Sequence, residues 1–297
     1  MRAFEPVAVA APLSEDGSTD LNRSYRICRE ITRSHSTTFY FASLFLSPER
    51  RKAIWAVYAF CRTADDIVDT SEQPAARLSE IDSWQSELLA AYSGRAQHPA
   101  MIAFADAVTK FDVPIEPALQ LLRGARNDVT TRRYETYDEL REYCYLVAST
   151  VGLMTSPILG YAPGALEYGV ALGLAMQMTN IMRDVGEDAA MGRIYLPAED
   201  FRRFGYSEDR LMDGVVDDSF VEMMRFEISR IRRIYDEATP GIELLVPESR
   251  YAVRLALRLY SQILDEIEHN GYDVFSRRAF VPLRSRLTTA LMTALSR

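Results

Sequence analysis

Apolar residues recur at intervals of three and four along most of the chain, a spacing that gathers them on one face of an α-helix. The pattern predicts helices near 22–34, 48–70, 75–93, 99–110, 115–128, 136–160, 164–190, 217–238 and 248–270. Punctuation agrees with it. Ser47-Pro48-Glu49 reads as a cap followed by proline in the first helical turn. Gly94, Gly192 and Gly271 fall where helices should stop. Alternating strand patterns, fixed-period repeats and Gly/Ser- or Pro-rich linkers are absent from the sequence. The expectation is one all-α domain over 21–297, preceded by an aperiodic segment, 1–20, read as a flexible tail. The apolar stretch 7–13 is short, is broken by Pro12 and follows Glu5 and Pro6, which does not suit a signal peptide. No run reaches the roughly 18 apolar residues that span a bilayer.

Composition narrows the classes. Of 297 residues, 48% are apolar and 26% charged, enough for a sizeable core and too apolar for disorder. The net charge of −8 disfavours a nucleic-acid partner, which would call for a basic surface. Cys28, Cys61 and Cys144 form no C-x-x-C pair and are odd in number, so a reducing, cytoplasmic setting is expected.

Two helices carry polar stripes on otherwise apolar surfaces. In 55–69, Tyr58, Arg62, Asp65 and Asp69 fall within one narrow arc at about 100° per residue, with Asp66 at its edge. Ile54, Trp55, Val57, Phe60, Ile67 and Val68 cover the other faces. In 177–188, Gln177, Asn180, Asp184 and Asp188 share a second stripe, again flanked by apolar residues. Helices apolar nearly all round are usually buried, and several buried carboxylates repel one another. Cations should therefore sit against these stripes. Oxygen donors without His or Cys suit Mg²⁺, with Mn²⁺ as the alternative ion, and disfavour zinc. Such ions let carboxylates and a diphosphate share one cavity. Arg193, just past the helix stop at Gly192, can return to that end and grip phosphate oxygens, or simply complement the helix dipole. His35, Ser36, Thr37, Thr38 and Phe39 precede the first stripe; their imidazole and hydroxyls can bind an anion or merely cap a helix.

Together these residues resemble the squalene and phytoene synthase family, the head-to-head prenyl synthases. The resemblance runs from about residue 23 to 282. It is carried by His35-Ser36-Thr37-Thr38-Phe39, the segment 58–69, Tyr143-Cys144-Tyr145-Leu146-Val147-Ala148-Ser149-Thr150-Val151-Gly152 and the segment 180–197. Arg193-Ile194-Tyr195-Leu196-Pro197 and Ser276-Arg277-Arg278-Ala279-Phe280-Val281-Pro282 are most similar to phytoene synthases.

The resemblance implies an isoprenoid synthase helical bundle with a central cavity. It implies that Asp65, Asp69, Asn180, Asp184 and Asp188 bind Mg²⁺ and that Asp66 completes the first acidic cluster. His35, Ser36, Thr38, Tyr58, Arg62, Gln177, Arg183 and Tyr260 match positions that contact diphosphate or line the site, and Arg193 and Tyr195 match a diphosphate-side loop. Val147, Ala148, Val151 and Gly152 match the wall of a prenyl tunnel. Ser149 stands where glycine is usual, which bears on chain-length preference. The implied reaction joins two geranylgeranyl diphosphates through a cyclopropyl diphosphate to phytoene, without NADPH. A C30 synthase acting on farnesyl diphosphate is the alternative within the family. Peripheral membrane contact for release of an apolar product is a further expectation, and oligomeric state is left open. Outside the family stand a non-catalytic helical binding protein and a di-iron bundle. The latter needs two Glu-x-x-His segments, and only 266–269 fits.

Overall fold

The computed structural model describes residues 17–70 and 73–295. Its helices are α1 (Gly17–His35), α2 (Thr37–Ser43), α3 (Pro48–Thr70), α4 (Pro74–Tyr92), α5 (Pro99–Phe111), α6 (Ile115–Thr130), α7 (Tyr137–Cys144), α8 (Thr150–Leu159), α9 (Ala165–Ala190), α10 (Ala198–Phe204), α11 (Glu208–Met212), α12 (Asp218–Ala238), α13 (Pro247–His269) and α14 (Leu283–Leu295). Among the described residues there is no β-ladder, only an isolated bridge between Tyr161 and Leu245. Helix α1 starts at Gly17, slightly before the boundary at 20 expected for the tail, and the rest of that segment lies outside the described residues.

Two hydrophobic cores divide the helices. In the first, α3 buries Ala53, Ile54, Ala56, Val57, Ala59, Phe60 and Ala64 against α1 and α5, with α4 and α6 behind. In the second, α9 buries Leu174, Ala175, Met178, Ile181, Met182 and Val185 against α12 and α13. Each core thus holds one of the two polar-striped helices, and α8 packs against both α3 and α9. The carboxylates need an unburied side, so the stripes turn towards the space between the cores.

The stretch 136–160 does not form the single helix its periodicity predicts. It divides into α7, a π-helical turn at Tyr145–Ser149, and α8. The wider turn re-aims successive side chains, as π-turns at functional sites commonly do. Glycine permits a close approach here: a Cβ on Gly173 would stand 2.6 Å from the Ala148 carbonyl oxygen and 2.8 Å from Ser149 Cα. Only a residue without a side chain lets α9 lie this close to the π-turn. Gly192 ends α9 region with φ +73°, the left-handed conformation its placement predicts. The chain then doubles back, with Arg193 N donating to the Asp188 carbonyl at 2.9 Å.

Candidate active site

A polar cavity lies between the cores. Helix α3 contributes Tyr58, Arg62, Asp65 and Asp69, and α9 contributes Gln177, Asn180, Arg183, Asp184 and Asp188. The loop after α9 adds Arg193 and Tyr195, α13 adds Tyr260, and His35 and Ser36 close it from the α1–α2 junction. Ser36 Oγ lies 3.4 Å from Tyr260 Oη. The two stripes predicted from helical spacing therefore do meet across one cavity.

The charges are unevenly matched. Asp184 accepts two forks, from Arg183 Nε and Nη2 at 2.7 and 2.5 Å and from Arg278 Nε and Nη2 at 2.8 and 3.0 Å. Burial opposes its charge, but these guanidinium bonds outweigh it and hold the carboxyl below its usual range. Asp69 accepts from Arg193 Nη1 at 2.7 Å. The side-chain carboxylates of Asp65 and Asp188 have no hydrogen-bond or ion-pair partner among the described residues. Burial, with Asp184 nearby, pushes Asp188 up to about 7 against the pull of Arg193. Burial also raises Asp65, reinforced by Asp69 and opposed by Arg62; its access to solvent through the cavity moderates the effect. The Nε atoms of Arg62 and Arg193 are buried without an acceptor among the described residues. The cavity thus brings uncompensated carboxylates and arginines together on its walls, an arrangement that a divalent cation and a phosphorylated anion would complete.

Asp65 and Asp188 stand on opposite walls, and all the donors are hard oxygens, so the residues fit a divalent metal. The geometry is not preformed. Among the described residues no three carboxylates or imidazoles converge as a ready ligand set. The arginines hold Asp69 and Asp184 in ion pairs instead, and these pairs must loosen for a metal to draw on both.

A second, apolar cavity continues from the first. Tyr58, Gln177, Asn180 and Tyr260 line both. Beyond them the walls are Phe39, Ala148, Val151, Gly152, Leu172 and Met176, reaching Leu159 and Ala165 at the far end. Along α9, Asn180 to Ala165 spans about 22 Å at 1.5 Å per residue. Phe39 stacks on Tyr58 at 5.4 Å between ring centroids, presenting aromatic surface at the junction.

Several residues lie elsewhere than the sequence reading expects. Thr37 is exposed, and neither it nor Thr38 lines either cavity, because α2 begins at Thr37 and turns them away. Asp66 also lies off both walls and pairs with Arg62 at 2.5 Å, so on this helix it steers an arginine rather than facing the cavity. Val147 lines the polar cavity, not the tunnel; the π-turn divides it from Ala148, which lines the apolar one. Ser149 does not narrow the tunnel, since its Oγ donates to the Val170 carbonyl at 2.8 Å.

Among the residues of the polar cavity given no site role from the sequence are Asp128, Tyr143 and Arg278. Asp128 accepts from Tyr195 Oη at 3.0 Å, and burial raises its carboxyl despite the pull of Arg193 and that hydroxyl. A signal existed: Leu121, Ala125 and Asp128 share the buried face of α6, and a lone acid on an apolar face needs a partner.

Fold and site define an all-α enzyme-like bundle in which a charged cavity opens into an apolar tunnel. The chain matches the family model for Squalene/phytoene synthase over residues 32–285. It is 42% identical to the 15-cis-phytoene synthase of Synechocystis sp. over 280 residues, covering 90% of this chain and 83% of that one. It is 43% identical to the phytoene synthase of Arthrospira platensis over 273 residues, covering 87% and 88%. A crystal structure of a dehydrosqualene synthase in complex with ligand superposes with a TM-score of 0.88 at 30% identity, covering 95% and 99%. The chain belongs to the squalene/phytoene synthase family. Head-to-head synthases of this family generally use a divalent metal.

Proposed function

We propose that the protein is a prenyl-transferring enzyme that joins two geranylgeranyl diphosphates head to head to give phytoene, the entry reaction of carotenoid synthesis. The observation that carries this reading is the continuity of the two cavities through Tyr58, Gln177, Asn180 and Tyr260. A diphosphate head lies among arginines and aspartates while its tail enters the apolar tunnel. Relatives named phytoene synthase, 39–43% identical, support the C20 substrate over the C30 one.

Asp65, Asp69, Asn180, Asp184 and Asp188 are the proposed metal ligands, and Mg²⁺ is the proposed ion, with Mn²⁺ as a substitute. Bound there, the ion supplies Lewis acidity that stabilises the departing diphosphate. Arg62 and Arg193, both on the wall of the polar cavity, supply positive charge to the phosphate oxygens. Arg183 and Arg278 keep Asp184 ionised until it is needed. In the family reaction, one substrate ionises to an allylic cation and the second substrate's double bond attacks it. Loss of a proton from the attacked substrate closes the ring, and the cyclopropyl diphosphate so formed releases its diphosphate in turn, rearranges and loses a second proton. The apolar walls keep water from quenching these cations, and the stacked faces of Phe39 and Tyr58 stabilise positive charge by roughly 0.5–2 kcal/mol each.

The buried, unpaired Cys28, Cys61 and Cys144 support action in the cytoplasm. Among the described residues no helix is long and apolar enough to cross a membrane. Exposed Leu283, Leu287, Leu291 and Leu295 along α14 support peripheral contact with one when product is released.

Product analysis with C15 and C20 diphosphates offered separately, with and without NADPH, tests the reading. Phytoene is expected from the C20 substrate, independent of NADPH. Chelation should abolish its formation and added Mg²⁺ restore it. A C30 product from the C15 substrate alone would move the protein to the dehydrosqualene branch, and no metal-dependent product would overturn the enzyme reading. The tunnel end gives a second test. Ala165→Leu should cut use of the C20 substrate by about tenfold relative to C15, since overfilling a packed site costs about 1–3 kcal/mol. An unchanged ratio would mean that the prenyl chain does not reach Ala165.

A further inference from the structure

A third cleft lies on the outer face of α1, α2 and α3 and shares no lining residue with the two cavities above. Four cationic side chains meet there: Arg26, Arg29, Arg51 and Lys52. None of them has a carboxylate in ion-pair range among the described residues, although the chain as a whole carries −8. Clustered like charges repel and are costly to hold together unless an anion joins them.

The aromatic floor holds the cations in place rather than neutralising them. Arg51 lies over the Trp55 ring at 5.5 Å and Lys52 over the Tyr25 ring at 5.7 Å. Arg29 Nε donates to Tyr40 Oη at 3.1 Å, and Tyr40 stacks on Trp55 at 5.6 Å. Trp55 is itself pinned by donating Nε1–H to Ser43 Oγ at 2.9 Å. Arg51 gives Nη1 to the Leu44 carbonyl at 3.2 Å, but its Nε is buried and finds no acceptor among the described residues. Preorganised guanidinium groups with unspent donors suit a phosphate. The exposed Leu44 at the rim can receive an apolar tail.

We propose that this cleft is a second anion site, separate from the catalytic cavity, which takes the phosphate or diphosphate group of a free or lipid-borne molecule. The two sources share one headgroup chemistry and are separated by experiment. Equilibrium dialysis with radiolabelled inorganic pyrophosphate, in the presence of Mg²⁺, should show one site in addition to those of the catalytic cavity, which receives the diphosphates of two substrates. Arg51→Gln combined with Lys52→Gln should remove the additional site and leave phytoene formation intact. Arg183→Gln combined with Arg278→Gln should weaken binding in the catalytic cavity and leave the additional site unchanged. Circular dichroism checks that both double variants are folded. Sedimentation with phosphatidylcholine vesicles, with and without phosphatidic acid, is the second arm. Phosphatidate-dependent sedimentation lost in the Arg51/Lys52 variant assigns the site to a lipid headgroup; the additional pyrophosphate site without such sedimentation assigns it to a soluble anion. Pyrophosphate binding left unchanged by the Arg51 and Lys52 substitutions, together with no phosphatidate-dependent sedimentation, would overturn the proposal.

Discussion

Replacing Asp65 by asparagine is expected to lower kcat about 10³-fold while leaving the melting temperature unchanged or raised. The two signs come from one fact. Asp65 makes no ion pair or hydrogen bond among the described residues, and the protein around it pushes its carboxyl towards the neutral form. In the free enzyme its charge is a cost, so a neutral isostere relieves repulsion with Asp69. On the proposed mechanism the same charge would help to hold a divalent cation against the leaving diphosphate. Loss of a preorganised electrostatic contact of this kind costs about 10²–10³ in rate, or roughly 3–4 kcal/mol of barrier. Asp188→Asn should behave alike, because Asp188 is equally unpartnered on the facing helix. Asp184→Asn should lose activity and stability together, since it strands Arg183 and Arg278. Steady-state kinetics beside thermal melts would separate these patterns. Near-normal kcat in Asp65→Asn would remove it from the proposed ligand set.

Why the aspartates could be read from sequence, and their neighbours could not, follows from the range of the interactions. Asp65 and Asp69, or Asn180, Asp184 and Asp188, lie within one helix, where the 3.6-residue period places side chains on a face without knowledge of the fold. That period also locates α3 and α9, because their other faces are apolar and must be buried. Asp128 and Arg278 reach the same cavity from α6 and from the segment beyond α13, so their membership depends on tertiary packing. The π-turn at Tyr145–Ser149 was not legible either. No Gly or Pro marks it, and its placement follows from the contact of Gly173 on another helix. As a result Val147, expected on the tunnel wall, lines the polar cavity instead. The helices α2, α10 and α11, at five to seven residues, are too short to show a period. They form because longer neighbours pack on them.

Removing Arg230 is expected to produce the largest loss of stability, about 3–5 kcal/mol, although it lies outside the cavity. Glu227 is 0% and Asp200 2% exposed, and Arg230 Nη1 bridges them at 2.7 and 3.1 Å. Its guanidinium also lies over the rings of Tyr137 at 4.1 Å and Phe226 at 4.6 Å. Arg230→Ala leaves two buried carboxylates facing each other without a cation, the situation in which breaking a buried pair is most costly. Glu227→Gln leaves one carboxylate with its arginine and should cost under about 1.5 kcal/mol. The pH dependence distinguishes charge from packing. Burial, together with a hydrogen bond to Asp200, raises the Glu227 carboxyl well above its unfolded value. The folded state therefore binds a proton that the unfolded state releases above about pH 4.3. Its contribution to stability is full below that pH and falls as pH rises through the raised folded value. Denaturant titrations should show the fall steepen in Arg230→Ala, which removes the opposing cation, and flatten in Glu227→Gln. Equal slopes in all three proteins would show that Glu227 stays ionised throughout. The cluster matters to the site because it ties α12, which supports α9, to α10, which follows the loop carrying Arg193 and Tyr195. Loosening it should weaken the hold of Arg193 on Asp69, so Arg230→Ala at permissive temperature should raise KM for the diphosphate substrate as well as lower stability.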